Sequence, residues 1–291
     1  MKPFQIFLSI TLLIIITIAS PTSAQKVEEP KNLSADWYKP YPPFRIAGNL
    51  YYVGTYDLAC YLIVTEKGNI LINTGLANST DIISNNIKSL GFKLTDTKIL
   101  MTTQAHYDHM AAMAAIKKLT GAKVWVNKRD AQVMRDGGSS DYALGNGTAT
   151  YAPLNPDRLL KDGDVIQLGT TKLTMLAHPG HTKGSSSYIF DTKDNKRTYK
   201  VLIANIPTIV TDKRFSEVTA YPEIEKDYNY TINAMRSLKF DIWVASHASQ
   251  FDLHKKHKTG DPYNPAAFAD RKSYDYALSQ IQADIAKHTL K

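Results

Sequence analysis

Apolar residues recur along this chain with two different spacings, which distinguish predicted strands from predicted helices. Short apolar runs bounded by Gly, Asn, Asp or Pro are typical of strands. Such runs predict strands at 50–54, 58–65, 68–73, 98–102, 123–126, 165–168, 172–176, 186–190, 200–204 and 241–245. Apolar residues three or four positions apart, as at Ile83, Ile87 and Leu90, indicate amphipathic helices. Helical spacing or alanine-rich composition predicts helices at 80–90, 109–119, 128–135, 221–238 and 265–287.

The order of these elements predicts the fold class. Strands and helices alternate in both halves of the chain, which favours an α/β fold, here an αββα sandwich of two mixed β-sheets between outer helices. The segment 137–156 is rich in Gly, Ser, Asn and Pro and is predicted to be a long loop. Loops of this length inside compact domains are often functional. No linker-like segment follows the N-terminal region, so residues 25–291 are predicted to form one catalytic domain.

Residues 1–24 have the pattern of a secretory signal peptide. Met1-Lys2 is a short basic start, residues 4–19 are apolar, and Ala24 ends a run of small residues suited to cleavage. We therefore expect export to the periplasm and a mature protein of residues 25–291. The alternative is an uncleaved membrane anchor, but the apolar run is shorter than the ~20 residues of a spanning helix.

Composition limits the possible partners. The net charge is +8, yet the chain lacks the basic motifs with base-stacking groups that nucleic-acid binding requires. The basic surface is expected to attract small anionic molecules at most. The single cysteine, Cys60, cannot form an internal disulfide and is predicted to be a buried core residue. We expect a monomer without stable membrane association once the signal peptide is cleaved.

The segment Gln104-Ala105-His106-Tyr107-Asp108-His109 concentrates candidate metal ligands directly after an apolar run. Gln104 and His106 are two residues apart on an extended segment, so their side chains point the same way. Asp108 and His109 begin the alanine-rich segment, where the chain turns and ligands can diverge. Three His or Asp side chains within four residues are difficult to explain as packing alone.

Two downstream histidines complete a possible ligand set. His181 follows Pro179-Gly180, and His247 follows the predicted strand 241–245. All three segments lie just past apolar strands, where the sites of open α/β sheets are found. Six N and O ligands suffice for two zinc ions with three protein ligands each and an open position, as in catalytic zinc sites. The remaining histidines are not expected to be ligands: His178 in the same loop, and the predicted surface residues His254, His257 and His288.

These residues resemble a known family. The segment 104–109, with His181 and His247, resembles the metallo-β-lactamase superfamily, whose usual motif is His-x-His-x-Asp-His. The segment 43–55 resembles the start of the third subclass (B3) of zinc β-lactamases. Gln104, together with the segment 244–252, resembles the GOB-type branch of that subclass. The resemblance extends over most of the predicted mature chain.

The resemblance implies the metallo-β-lactamase fold and a ligand assignment. It assigns a first zinc to Gln104, His106 and His181, and a second zinc to Asp108, His109 and His247. The implied activity is opening of the β-lactam ring of penicillins, cephalosporins and carbapenems by a zinc-bound hydroxide, which confers antibiotic resistance. Bound zinc lowers the pKa of water to about 7 and polarises a carbonyl. Asp108 would also act as the catalytic residue that orients the water.

Three positions depart from the superfamily pattern. Gln104 replaces the usual histidine, and because an amide oxygen is a weaker zinc ligand than imidazole, the first site should be the looser one. Asn73 stands where many members carry aspartate. Ile206 stands where other members of the subclass place serine. Ile206 and Thr208 are nevertheless the candidate substrate contacts, although the Thr208 hydroxyl is equally an ordinary loop hydroxyl.

The same fold supports other hydrolases, so alternatives remain open. Thioester and lactone hydrolases of the superfamily usually carry an extra metal-bridging aspartate at the end of a strand between the last two histidines. Here Asn205 and Ile206 follow the strand 200–204, and no carboxylate occurs before Asp212, which favours the lactamase. A periplasmic zinc-binding protein without enzymatic activity is a further alternative. The aromatic segment 37–44 either contacts substrate or packs the N-terminal arm onto the core.

Overall fold

The computed structural model describes residues 26–289, so the predicted signal peptide lies outside the described residues. The strands are β1 Phe44–Ala47, β2 Leu50–Tyr52, β3 Tyr61–Thr65, β4 Gly68–Ile72, β5 Thr97–Met101, β6 Lys123–Asn127, β7 Arg158–Leu160, β8 Val165–Leu168, β9 Thr171–Ala177, β10 Ser186–Lys193, β11 Thr198–Ala204 and β12 Ile242–Ala245. The α-helices are α1 Ser79–Ser89, α2 Tyr107–Met110, α3 Met113–Thr120, α4 Ala131–Arg135, α5 Ile224–Ser237, α6 Leu253–Lys256 and α7 Arg271–Thr289.

The first sheet contains β1 to β7 in chain order. Strands β1 to β4 pair antiparallel because short connections join them. Strands β4 to β7 pair parallel because longer, helix-containing segments return the chain to the same edge of the sheet. The carboxyl ends of β4, β5 and β6 therefore lie at one edge.

The second sheet has the order β12-β11-β10-β9-β8. Strands β8 to β11 are antiparallel, whereas β11 and β12 are parallel and are joined through α5. The parallel register places Ala245, the last residue of β12, beside Ala204, the last residue of β11. The residues that follow these two strands therefore emerge together.

Two buried clusters form the core. Ile70 and Ile72 of β4 join a buried cluster with Met175 and Tyr188 of the second sheet, whereas Leu71 belongs to a second cluster on the opposite face. That second cluster is covered by residues of α1 and α3, among them Ile83, Ile87 and Ile116. Helices α5 and α7 cover the outer face of the second sheet with Ile232, Tyr274 and Leu278. Two mixed sheets between outer helices confirm the predicted αββα fold.

Two predicted helices differ most from the structure, whereas those predicted at 128–135 and 221–238 begin three residues before α4 and α5. The segment 109–119 is divided between the end of α2 and most of α3. The helix is interrupted because the amide and hydroxyl of Thr74 donate to the carbonyl of His109 at 2.9 and 3.0 Å and replace helical hydrogen bonds. The segment 265–287 begins with a 3-10 turn, Pro265–Phe268, and α7 starts only at Arg271. The Asp270 carboxylate caps α7 by accepting from Ser273 N at 3.0 Å.

Three short elements were not predicted from the sequence. β1 and β7, at the two edges of the first sheet, and the four-residue α6 carry too little periodicity to be distinguished from loops. Cys60 is a free, buried cysteine, as predicted. Nowhere within residues 26–289 does a helix combine the length and the apolar character needed to cross a membrane.

Candidate metal centre

The segment 104–109 leaves the carboxyl end of β5 and is held there by Asn73. Asn73 adopts a left-handed backbone conformation, with φ of 62°, which Asn tolerates better than most residues. Its Oδ1 atom accepts hydrogen bonds from the amide of Thr103 at 2.9 Å and from the Thr103 hydroxyl at 3.2 Å. The departure from aspartate thus retains an acceptor oxygen that fixes the chain directly before Gln104.

One group of candidate ligands comprises Asp108, His109 and His247, and their ligand atoms all lie within 4.8 Å of one another. Oδ2 of Asp108 is 3.2 Å from Nε2 of His109 and 3.3 Å from Nε2 of His247. Asp108 and His109 come from α2, whereas His247 follows β12 in the second sheet. The group therefore joins the two sheets.

A second group beside it comprises His106 and His181, and Gln104 precedes His106 by two residues. Nδ1 of His106 lies 3.2 Å from Nε2 of His181, and both side chains are buried. Nδ1 of His181 is 2.6 Å from the carbonyl of Thr208, to which it donates. The hydrogen on Nδ1 leaves the lone pair of Nε2 directed at His106.

The donor spacing fits tetrahedral metal ions. Two donors at a metal–nitrogen distance of about 2.0–2.1 Å and a tetrahedral angle are about 3.3 Å apart. The three donor pairs measured across the two groups are 3.2, 3.2 and 3.3 Å apart. Nitrogen and oxygen lone pairs at this spacing repel one another unless a proton or a cation lies between them.

Orphaned polar atoms support the same conclusion. Oε1 of Gln104 and both ring nitrogens of His109 are buried and have no hydrogen-bond partner within residues 26–289. Buried polar atoms almost always have a partner, because desolvating them otherwise costs about 1–3 kcal/mol each. A metal bound by the Asp108, His109 and His247 group would satisfy one nitrogen of His109, and a metal bound by Gln104 would satisfy its Oε1 atom.

The protonation states of the candidate ligands suit metal binding. Burial alone raises the pKa of Asp108, but His109 and His247 outweigh it and hold the pKa well below its usual range. Burial and the neighbouring His106 lower the pKa of His181 to about 3, so its imidazole is neutral. Burial opposes a proton on His247, but Asp108 and Asp57 raise its pKa to about 9. Metal binding would displace that proton.

Two carboxylates that sequence reasoning missed lie next to candidate ligand histidines. Oδ2 of Asp57 accepts a hydrogen bond from Nδ1 of His247, and Oδ2 of Asp141 lies 3.3 Å from Nε2 of His106. A carboxylate that accepts a hydrogen bond from a ring nitrogen, as Asp57 does, fixes the tautomer of a metal-binding histidine. The Asp141 contact is a close charge contact without a hydrogen bond, since Nε2 of His106 has no hydrogen-bond partner within residues 26–289. Asp57 lies between β2 and β3, and Asp141 lies in the predicted loop 137–156. Neither segment carries a local pattern that signals the role.

The candidate substrate contacts and the remaining histidines differ in burial. The side chain of Ile206 is buried in the core, whereas Thr208 is half-buried beside His181. His178 is buried against the Ser187 hydroxyl, at 2.7 Å, apart from both groups. The expectation that His257 lies at the surface is wrong, because its ring is buried and stacks on Phe44.

The aromatic segment 37–44 lies partly in the core and partly beside His247. Tyr41 is buried in the core, which is packing. Trp37 lies with its ring centroid 5.6 Å from that of His247 and 6.3 Å from that of Tyr107. Tyr107 also borders a cleft of about 690 Å³ between residues 26–31 and the loop residues Leu144, Asn146, Thr148 and Thr150. The cleft therefore meets the segment 104–109 at Tyr107, and none of the candidate ligands lines it.

The fold and the sequence are shared with known proteins. The family model described as the metallo-β-lactamase superfamily matches residues 54–194. The class B3 di-zinc metallo-β-lactamase LRA-12 from an Alaskan soil metagenome is 66% identical, with a TM-score of 0.90, over 91% of this chain and 100% of that one. The chain belongs to class B3 of the metallo-β-lactamase superfamily.

Further relatives differ in how much they share. The metallo-β-lactamase GOB-18 from Elizabethkingia meningoseptica is 59% identical, with a TM-score of 0.90, over 91% of this chain and 98% of that one. A hydroxyacylglutathione hydrolase from Bradyrhizobium sp. (strain BTAi1 / ATCC BAA-1182) is 28% identical over 143 residues, 46% of this chain. The chain spans about half the length of the curated relatives it matches. The likeness to class B3 is therefore both closer and more complete.

Proposed function

We propose that this chain is a zinc β-lactamase that opens the β-lactam ring of penicillins, cephalosporins and carbapenems by hydrolysis. The observation that carries the proposal is the pair of adjacent donor groups, in which atoms from separate segments lie 3.2–3.3 Å apart. The similarity to class B3 enzymes over 91% of the chain supports the same activity. Hydrolysis of these antibiotics would confer resistance to them.

The proposed ligand sets follow the two groups. We assign the first zinc to Gln104, His106 and His181, and the second zinc to Asp108, His109 and His247. When bound, zinc lowers the pKa of water to about 7 and polarises the amide carbonyl of the substrate. The protein supplies three donors for each ion, which leaves positions open for water and substrate.

Asp108 is the proposed catalytic residue. Its carboxylate is buried and ionised, because His109 and His247 hold its pKa well below the usual range. An ionised carboxylate accepts a hydrogen bond from the attacking water and thereby orients an oxygen lone pair toward the carbonyl carbon. The loss of Asp108 would therefore remove both a ligand and the orienting group.

The substrate is proposed to lie between Trp37 and Thr208. Trp37 packs beside His247 and Tyr107, where it can contact the apolar face of a bicyclic substrate. The Thr208 hydroxyl lies 3.1 Å from Nδ1 of His181 and is half-buried, which suits a donor for the substrate carboxylate. Ile206 has no polar group and only 3% of its surface is exposed, so its proposed role is to shape the floor behind Thr208.

The first zinc site is proposed to be the weaker of the two. Its third donor is the amide oxygen of Gln104, which carries no charge and is less basic than imidazole. The second site includes a carboxylate, whose charge adds to the attraction for a divalent cation. The two sites should therefore fill in sequence as zinc is added, with the second site filled first.

Thioester hydrolysis is the competing proposal, since curated relatives with that activity match part of the chain. At the end of β11, where those enzymes usually carry a bridging aspartate, this chain has Asn205 and Ile206. Asn205 donates from Nδ2 to the carbonyl of Thr103 at 3.1 Å, and Ile206 is buried. Neither residue offers a carboxylate to two metals.

Export and oligomeric state are also proposals. The basic, apolar and small-residue order of residues 1–24 supports a cleaved signal peptide and a periplasmic mature protein. We further propose a monomer that acts on a small-molecule β-lactam without nucleic acid or a stable membrane contact. Sedimentation of the purified mature chain at several concentrations would test the monomer.

The experiment that tests the function uses purified residues 25–291. Carbapenem absorbance is followed with the protein alone, after removal of zinc by a chelator, and after zinc is restored. Absorbance should fall, stop falling with the chelator, and fall again with zinc. A parallel assay with a glutathione thioester distinguishes the competing proposal, which predicts thioester turnover and intact carbapenem.

A further inference from the structure

Asp130 is a buried carboxylate that the proposed ligand sets do not include. It lies between β6 and α4, and only 1% of its surface is exposed. Buried carboxylates are uncommon unless their oxygens accept hydrogen bonds or bind a cation. The partners of Asp130 therefore indicate why the fold retains it.

Three donors converge on the Asp130 carboxylate. Oδ2 accepts from the amide of Ala105 at 2.9 Å and from the hydroxyl of Thr182 at 2.8 Å. Oδ1 accepts from the amide of Gly184 at 2.6 Å. One side chain thus connects the loop after β5 with the loop after β9.

These two loops carry every proposed ligand of the first zinc. Ala105 lies between Gln104 and His106, and Thr182 directly follows His181. The Asp130 carboxyl group lies so close to residue 184 that only glycine fits there. A Cβ atom at this position would lie 2.5 Å from Cγ of Asp130. Such a contact is too short for any side chain, so glycine at 184 allows the carboxylate to reach the loop.

We propose that Asp130 is the positioning residue of the first metal site. This inference rests on the proposed function, because it takes Gln104, His106 and His181 as zinc ligands. Neutral Gln104 binds zinc weakly, so affinity at this site depends on how accurately the two loops are held before the metal binds. Asp130 supplies that accuracy through hydrogen bonds to the backbone on both sides of the site.

The test is zinc binding by the Asp130→Asn variant of residues 25–291, measured by competition with a chromophoric chelator. The amide of Asn cannot accept from three donors, and its NH₂ group would face an amide or hydroxyl hydrogen. We expect first-site affinity to fall about 10- to 100-fold, as for other residues that orient metal ligands. Affinity at the second site should stay within about twofold, because none of the three donors belongs to the Asp108, His109 and His247 group.

Asp157→Asn is the matched control. Asp157 also accepts from a backbone amide, that of Val124 at 2.9 Å, and pairs with Lys117 and Lys123. It directly precedes β7 and bonds to the beginning of β6, at the end of these parallel strands opposite the ligand segments. This variant should lose some stability to urea while both zinc affinities stay unchanged.

A second variant keeps the proposal testable if Asp130→Asn does not fold. Thr182→Val removes one donor and preserves the shape of the side chain, and should lower first-site affinity by a smaller factor. Cobalt substitution adds a spectroscopic readout, since the ligand-field bands of the first site should shift in both variants. Unchanged first-site affinity and bands in a folded Asp130→Asn protein would overturn the proposal. Equal loss at both sites would also overturn it, because that result indicates a general structural role.

The wild-type titration separates this inference from the proposed function. If the wild-type chain binds two zinc ions and Asp130→Asn binds both equally well, the inference alone fails. If the wild-type chain binds fewer than two zinc ions, the proposed ligand sets fail and the inference fails with them.

Discussion

The carboxylate of Asp57 accepts a hydrogen bond from the imidazole of His247, with 3.2 Å between Oδ2 and Nδ1. The same oxygen accepts from Nε1 of Trp37 at 3.1 Å, and Oδ1 accepts from the amide of Ser249 at 2.8 Å. Because a carboxylate only accepts, the hydrogen of His247 stays on Nδ1 and the lone pair of Nε2 faces the second metal group. The N-terminal arm thus participates in orienting a proposed ligand.

Asp57→Asn should weaken zinc binding at the second site. The Asn side chain can present an amide hydrogen to Nδ1, which would favour the wrong tautomer of His247. We expect a loss of about 10- to 100-fold in affinity at that site, by competition titration. Asp36→Asn, which changes a nearby exposed carboxylate, should leave the affinity unchanged. Equal affinities for the Asp57→Asn and wild-type proteins would exclude the orienting role.

Asp108→Ala should lower kcat by about 100-fold or more while the fold is retained, because a ligand and the group that orients water are lost together. The assay is carbapenem hydrolysis in excess zinc, with circular dichroism as the check on folding. Asp81→Ala, at the exposed first turn of α1, is the control for removing a carboxylate. Turnover within twofold of wild type would remove Asp108 from the mechanism.

Gln104→His should tighten the first zinc site. Imidazole is a stronger zinc ligand than an amide oxygen, and the two side chains are similar in size, so the buried position can accommodate the change. We expect affinity to rise at least about tenfold, or ~1.4 kcal/mol, in the same titration. Gln132→His, which places the new imidazole on the exposed side of α4, controls for a non-specific histidine. An unchanged first-site affinity would indicate that residue 104 is not a ligand.

Removal of zinc should lower thermal stability. Zinc at about 100 times its Kd stabilises the folded protein by about 2.7 kcal/mol per site. For a protein of this size, one such site corresponds to a rise in Tm of roughly 5–10 °C. Calorimetry of the wild-type chain with chelator and with zinc measures the shift, and Asp108→Ala should show a smaller one. A Tm that is independent of zinc would contradict stable metal binding.

The fold was largely predictable because its signals are local. Apolar runs such as 68–73 and 98–102 predicted strands at the centre of the first sheet, and alternating strands and helices predicted the layers. The errors occur where a distant contact overrides a local pattern. Thr74 interrupts the helix predicted at 109–119 by bonding the carbonyl of His109, which no property of the segment itself reveals.

The sequence by itself determined the candidate ligands of this protein, because six N and O donors in a specific motif and at two strand ends are visible without coordinates. Only the tertiary structure decided which groups hold those ligands in place. Asp57 is 190 residues from His247 in the chain, and Asp130 is 52 residues from Thr182. A carboxylate in a loop has no periodicity that marks its role. Its role arises only when packing of the two sheets brings it against the imidazole or amide that it accepts from.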